Sequence, residues 1–238
     1  MSELQDSYNT LYKEWLGQNR NIGQAKQLLD LMNVRSGLVL DLACGLGYLL
    51  DMAEARGATA FGLDLSRVAL EESKNEASQR RVVEGNGEHL PWPDETFDYV
   101  TCLGSLEHFI HPDLGASEIA RVLKPSGKAA IMLPNSHHIQ AIYNVYKMGG
   151  ILPELQDFER FATRVEWQSF LEEAGLLVES VHKYNVGFSR FFKKGREGFW
   201  YFYNILFRLF GDLWIPTNLS FALTFICTKT IPEKSNNG

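Results

Sequence analysis

The sequence predicts a doubly wound α/β fold: one domain built on a mostly parallel sheet of seven strands. Three observations carry this expectation. From residue 38 to residue 133, short apolar runs of strand length alternate with stretches of helical periodicity. A glycine-bearing turn, Ala43-Cys44-Gly45-Leu46-Gly47, joins the first apolar run to a helix. The chain has 238 residues and 45% apolar content, enough for one sizeable core with an added cap.

The elements follow in order. Leu4, Tyr8, Leu11, Tyr12, Trp15 and Leu16 recur at helical spacing and predict an amphipathic N-terminal helix. A second helix is expected over 22–32, ending before Ser36-Gly37. Residues 38–42 read as a buried strand and 48–56 as a helix stopped by Gly57. The next strand is 59–63, followed by a helix from 67 to about 77 with Ser66 as its N-cap. Strands are expected at 81–84 and 97–103, then a helix over 112–123 closed by Lys124-Pro125-Ser126-Gly127, and a fifth strand at 128–133. Thr163 caps a helix that runs to Ala174 and ends at Gly175; 176–184 and 219–228 form the last strand pair. The division expected is 1–35 as N-terminal helices over a cleft, 36–230 as the main domain with cap insertions near 136–160 and 188–214, and 231–238 as a tail.

A net charge of −6 argues against nucleic acid as an electrostatic partner. Cys44, Cys102 and Cys227 form no CxxC pair, so neither a zinc site nor a disulfide framework is expected, and a reducing compartment is the default. The polar start reads as no signal or transit peptide, and no apolar run reaches the length of a membrane span. A cytoplasmic location is expected.

Open α/β sheets bind ligands at the carboxyl ends of their strands, where strand order reverses. Four loops converge there: the turn after Asp41, the loop at Asp64, Gly85-Asn86-Gly87, and Leu103-Gly104-Ser105. A nicotinamide fingerprint wants G-x-G-x-x-G, and the third glycine is replaced here by Leu50. The alternative is a ligand with a sugar and an amino-acid tail but no pyrophosphate, such as S-adenosylmethionine. A carboxylate at Asp64 can accept both ribose hydroxyls. Leu65 can lie on an adenine face, Asn86 can accept from its amino group, and Gly87 offers a backbone N–H.

These residues carry a family resemblance. Val39 to Gly47 (VLDLACGLG) resembles motif I of the class I S-adenosylmethionine-dependent methyltransferases, and Gly62-Leu63-Asp64-Leu65-Ser66 their acidic second motif. The run GNGEHLPWPDETFDYV from Gly85 is similar to the family's G-D-A-E-x-L-P-F-x-D-x-S-F-D-x-V. Leu106-Glu107-His108-Phe109 and RVLKPSGK from Arg121 continue the match in order, most closely to the ubiquinone- and menaquinone-biosynthesis type. The resemblance covers roughly 36–135 and returns more weakly at 161–181. Ala43 stands where a glycine is usual, Asn86 replaces an aspartate, and Ser126 replaces a glycine. The resemblance implies a Rossmann-like sheet of order 3-2-1-4-5-7-6 and S-adenosylmethionine as cofactor. It also implies residue roles. Asp41 orders the motif I turn, Ala43, Gly45 and Gly47 line the methionine moiety, Asp64 holds the ribose, and Leu65, Asn86 and Gly87 surround adenine. The Leu103 carbonyl receives the ammonium.

Methyl transfer from a sulfonium needs a base only where the acceptor must lose a proton. His108 is the candidate general base; its bland alternative is packing of the following helix. His137 and His138 default to polar loop residues and Cys44 to a buried thiol. Glu107, His108 and His111 make a weak metal cluster with nothing to complete it, so no metal is expected. The place after the fourth strand lacks the Asp/Asn-Pro-Pro-aromatic motif of base-amine methyltransferases, which leaves a small-molecule or lipid-like acceptor. Between Phe188 and Trp214 lie 11 of the 29 aromatic residues, and residues 183–214 hold six Lys/Arg against two Asp/Glu. Three readings stand: a lid on an apolar acceptor pocket, core or dimer packing, or peripheral membrane contact through 188–214. The expected function is methyl transfer to a small, hydrophobic acceptor. The alternatives are a non-catalytic S-adenosylmethionine-binding or membrane-associated protein, and a nicotinamide oxidoreductase.

Overall fold

The computed structural model describes residues 2–15, 22–150, 159–184 and 214–230. The helices are α1 (Ser2–Trp15), α2 (Ile22–Leu31), α3 (Tyr48–Glu54), α4 (Arg67–Glu76), α5 (Pro112–Val122), α6 (Ile139–Met148) and α7 (Arg164–Glu173). The strands are β1 (Leu38–Leu42), β2 (Thr59–Asp64), β3 (Arg81–Glu84), β4 (Phe97–Leu103), β5 (Leu123–Pro134), β6 (Leu176–Tyr184) and β7 (Ala222–Lys229). They form one sheet of order β3-β2-β1-β4-β5-β7-β6. The pairs are parallel from β3 through β5, and β7 runs antiparallel to both β5 and β6. This is the order the resemblance implied.

Side-chain alternation along the strands feeds two cores, one on each face. Val39 and Ala60 pack with Leu28 and Leu29 of α2 and Leu50 and Ala53 of α3. Leu40, Leu42 and Val100 pack with Ile119 of α5 and Trp167 and Leu171 of α7. Phe97, fully buried, meets Phe61 and Trp92 edge-to-face. Trp167 donates its indole N–H to the Pro134 carbonyl at 2.8 Å, which seats α7 at the end of β5.

The caps account for the helix starts. Ser66 Oγ accepts from Ala69 N–H, and Thr163 with Glu166 makes a capping box. Three boundaries differ from the sequence reading. Residues 124–127, expected to close α5, belong to β5 as a bulge: Phe97 pairs with Leu123 and Tyr99 with Lys128, so the turn-forming residues are extruded without breaking the strand. Helix α3 stops at Glu54, where the chain turns toward Gly57 (φ +92°). The last strand starts at Ala222 because a 3₁₀ turn, Thr217–Leu219, precedes it. Of the aromatic segment read at 188–214, only Trp214 lies within the described residues, where it is exposed; the tail at 231–238 lies outside them.

Candidate functional site

A cavity of about 130 Å³ opens at the carboxyl ends of β1, β2 and β4. Its floor and sides are Leu42, Ala43, Leu63, Asp64, Leu65, the Gly85–Glu88 loop, Gly104, Ser105, His108 and Phe109; Leu4, Tyr8, Leu11 and Tyr12 of α1 complete the wall. Of the sequence-derived site residues, Ala43, Asp64, Leu65, Asn86, Gly87 and His108 line it. Asp41, Gly45, Gly47 and Leu103 are not among the lining residues.

The glycine turn is held from two sides. Asp64 Oδ2 accepts the Gly45 N–H at 2.7 Å, and Asp64 Oδ1 accepts the Ser66 N–H at 2.8 Å. Beneath the turn, Arg80 donates to the Leu46 carbonyl at 2.7 Å, to Ser73 and, through two nitrogens, to Asp51 of α3. Its guanidinium is almost fully buried, so each of these bonds replaces a lost water. Gly47 takes φ +76° as the N-cap of α3. Ala43 takes φ +59°, the left-handed region that L side chains avoid. The alanine that stands where a glycine is usual therefore carries backbone strain at the cavity wall.

Asp41 is buried and accepts from Thr101 Oγ1 at 2.6 Å; the two residues are register partners on β1 and β4. Burial pushes its carboxyl up to about 7, against the lowering effect of the Thr101 bond. Asp64 is raised too, chiefly by burial, while three backbone N–H bonds pull the other way. Asn86, read as an adenine acceptor, turns Oδ1 to the Glu88 N–H at 3.0 Å, so one of its two lone pairs is engaged. At Gly87 a Cβ would lie 2.5 Å from the Phe109 ring, which gives this glycine a packing reason. The Leu103 carbonyl receives Ser105 Oγ at 3.4 Å. Burial holds Cys44 as a thiol, in line with its inert reading.

His108 is buried beside the cavity, its Nε2 3.8 Å from Glu107 Oε1, beyond hydrogen-bond range. Burial, with a smaller contribution from Glu159, pushes Glu107 up to about 8. The cluster of Glu107 and His108 gains Glu159 rather than His111. The three offer ligand atoms within 4.8 Å of one another, and are the group among the described residues that could hold a metal ion. His111 instead donates its backbone N–H to Glu88 at the start of α5. His138 caps α6, accepting the Ala141 N–H through Nδ1, and His137 pairs with Ser136; neither lines the cavity.

Sequence reasoning missed Thr101, Arg80 and Arg160. The last clamps the loop after β4 by donating to the carbonyls of Glu107, Phe109 and Ile110. Strand register would have found Thr101. Nothing in the local pattern marks the two arginines.

A sheet of this order with its cavity at the β1, β2 and β4 ends defines the S-adenosylmethionine-dependent methyltransferase fold, and similarity to known proteins agrees. The Methyltransferase domain family matches residues 40–131. The chain is 32% identical over 183 residues to a demethylmenaquinone methyltransferase of Bacillus licheniformis, covering 67% of this chain and 79% of that protein. It is 30% identical over 164 residues to a ubiquinone biosynthesis O-methyltransferase of Pseudomonas fluorescens, covering 64% and 69%. A S-adenosylmethionine-dependent methyltransferase of Thermotoga maritima superposes with a TM-score of 0.65 over 96% of this chain and all of the other, at 16% identity. The chain belongs to this methyltransferase family. It is an enzyme that uses S-adenosylmethionine to methylate a small molecule, which sets aside the nicotinamide and non-catalytic readings.

Two predictions follow from the cavity wall. Ala43→Gly relieves the left-handed strain and should raise stability by up to about 1 kcal/mol in urea denaturation; a loss of stability would show that the alanine methyl packs favourably there. Asp41 carries a folded-state value of about 7 against 3.8. The folded state therefore binds the extra proton between these limits, and stability falls as pH rises from about 4 to about 7. Asp41→Asn should shallow that fall in Tm measured across the same range, and equal slopes would refute the assignment.

Proposed function

We propose that the cavity seats the cofactor with its ribose at Asp64, its adenine between Leu65 and the Asn86-Gly87 loop, and its methionine end over the Gly45 turn. Asp64 is the observation that carries this reading. Backbone N–H groups of Gly45, Ser66 and Leu65 meet it, and a carboxylate has about four acceptor sites, so it can still accept from a ribose hydroxyl. Two further buried carboxyls, Asp41 and Glu107, stand close behind the wall, and no lysine or arginine among the described residues lines it. A donor set of this sign suits a ligand that brings positive charge. S-adenosylmethionine, when bound, supplies an activated methyl group on a sulfonium. What the chain must then supply is alignment, which can be worth about 7–11 kcal/mol.

The acceptor is a small apolar compound, lipid-like or quinone-like. Leu4, Tyr8, Leu11 and Phe109 in the lining support this, as do relatives named for demethylmenaquinone and ubiquinone biosynthesis. No helix among the described residues is long and apolar enough to cross a membrane; peripheral contact through 188–214 remains part of this proposal, to be tested by flotation with anionic vesicles. For a hydroxyl acceptor, His108 takes the proton.

The reading is tested by incubating the enzyme and S-adenosylmethionine with quinone-like and polar acceptors and following methylated product by mass. Product from polar acceptors alone would overturn the apolar assignment. Asp64→Ala should cost about 1.5–3 kcal/mol of cofactor affinity by calorimetry; an unchanged dissociation constant removes Asp64 from the site. His108→Ala should slow transfer to a hydroxyl by about 10²–10⁴ and leave cofactor binding intact. An unchanged rate would mean that alignment suffices.

A further inference from the structure

The cofactor's amino-acid tail carries a carboxylate as well as an ammonium. Among the described residues, the cavity lining holds Asp64 and no lysine or arginine, with Asp41 behind it. The hydroxyl and backbone donors there are the neutral groups that such a carboxylate can meet. One such donor stands over the glycine turn. A Cβ built on Gly45 would lie 2.6 Å from the Tyr12 hydroxyl, and the three atoms nearest to that position all belong to Tyr12. The acidic groups that face this hydroxyl are Asp64, Cys44, Tyr8 and Asp41. Burial comes first, and together they hold the phenol well above its ordinary range, so it is protonated and can donate.

The helix that carries Tyr12 is also referenced to the other end of the cavity. Asn9 Oδ1 accepts from Ser66 Oγ at 2.9 Å and from the Val68 N–H at 3.3 Å, at the start of α4. Gln5 donates to the Leu65 carbonyl at 3.0 Å and to Glu84 at 2.7 Å. One face of α1 thus grips the Asp64–Ser66 loop, and three residues after Asn9 it presents Tyr12 to Gly45. Residues i and i+3 share a helix face, which is why a single helix can touch both sites.

We infer that Tyr12 is a cofactor-binding residue: its hydroxyl donates to the carboxylate of the amino-acid tail, and this bond makes closure of α1 depend on a ligand that has the tail. The inference rests on the seating proposed above, with ribose at Asp64 and the tail at Gly45. Gly45 is then bare for a second reason. A side chain there would displace the tyrosine oxygen from the place where it meets the ligand.

The test compares S-adenosylhomocysteine, which has the tail, with 5′-methylthioadenosine, which lacks the amino-acid portion, by calorimetry on wild type, Tyr12→Phe and Asp64→Ala. Tyr12→Phe keeps the ring, and an unchanged Tm shows that α1 still packs. The expected result is that Tyr12→Phe weakens S-adenosylhomocysteine by about 10- to 100-fold, the range for a hydrogen bond to a charged group. Binding of 5′-methylthioadenosine should hold within about twofold, while Asp64→Ala weakens both ligands. Hydrogen exchange of 2–15 should slow with S-adenosylhomocysteine in wild type, and much less so in Tyr12→Phe. Unchanged S-adenosylhomocysteine affinity in Tyr12→Phe, or an equal loss for both ligands, overturns the role of Tyr12 and leaves the seating intact. If Asp64→Ala alters neither ligand, or wild type binds neither, the seating fails and this inference fails with it.

Discussion

The Asp64 carboxylate joins three elements that would otherwise meet only loosely. It ends β2, accepts the N–H of the turn after β1 and accepts the N–H of Ser66 at the head of α4. A buried carboxylate is costly unless its lone pairs are met, and a buried N–H left open costs about 1–3 kcal/mol. Each partner therefore constrains the others. With the turn fixed to Asp64, the Cys44 N–H reaches the Leu63 carbonyl at 3.0 Å, and Cys44 packs against Gly62. With Ser66 fixed, its hydroxyl is placed to cap α4 and to meet Asn9, and so α1 acquires its position. Arg80 completes the arrangement from below, holding the Leu46 carbonyl and α3 by the same guanidinium.

Electrostatics set the sign of what this arrangement can hold. Asp41, Asp64 and Glu107 are all raised from their ordinary range, each first by burial. A raised carboxyl marks a place where negative charge is poorly compensated by the protein alone. A cationic ligand changes that balance: it favours the ionised forms, so binding releases protons and tightens as pH rises through the raised values. A sulfonium gains from this, and its neutral thioether product does not. With the cofactor seated as proposed, the wall would favour the reactant charge state over the spent one.

Much of this was legible in the sequence because it rests on local chemistry. Ser66 and Thr163 announced their helices as caps, strand and helix runs alternated from residue 38 to residue 133, and the motifs of the family lay in register; α6 was not read from the sequence. What escaped depends on long-range geometry. Thr101 meets Asp41 only through the register of β1 and β4, and Glu159 joins Glu107 and His108 from more than 50 residues away. The 124–127 segment has the composition of a turn, but parallel pairing on either side absorbs it into β5 as a bulge. Composition foretells the turn and not its absorption. Tyr12 reads in the sequence either as core packing or as part of an N-terminal helix over the cleft; the approach of its hydroxyl to Gly45 is what separates the two.

The division of labour between sheet and helix follows from these constraints. The cavity floor is built from strand ends, where neighbouring strands fix each backbone to within the sheet's own rigidity, and Ala43 can be held in a strained conformation because that surrounding structure over-determines it. The remaining wall comes from α1, which Gln5 and Asn9 tie to the Asp64–Ser66 loop and Glu84. Side-chain ties of this kind fasten a helix less firmly than the strand ladders fasten the floor. An enzyme whose catalysis is largely alignment needs both properties at once: a seat that does not move, and a cover that admits ligand and then settles against it.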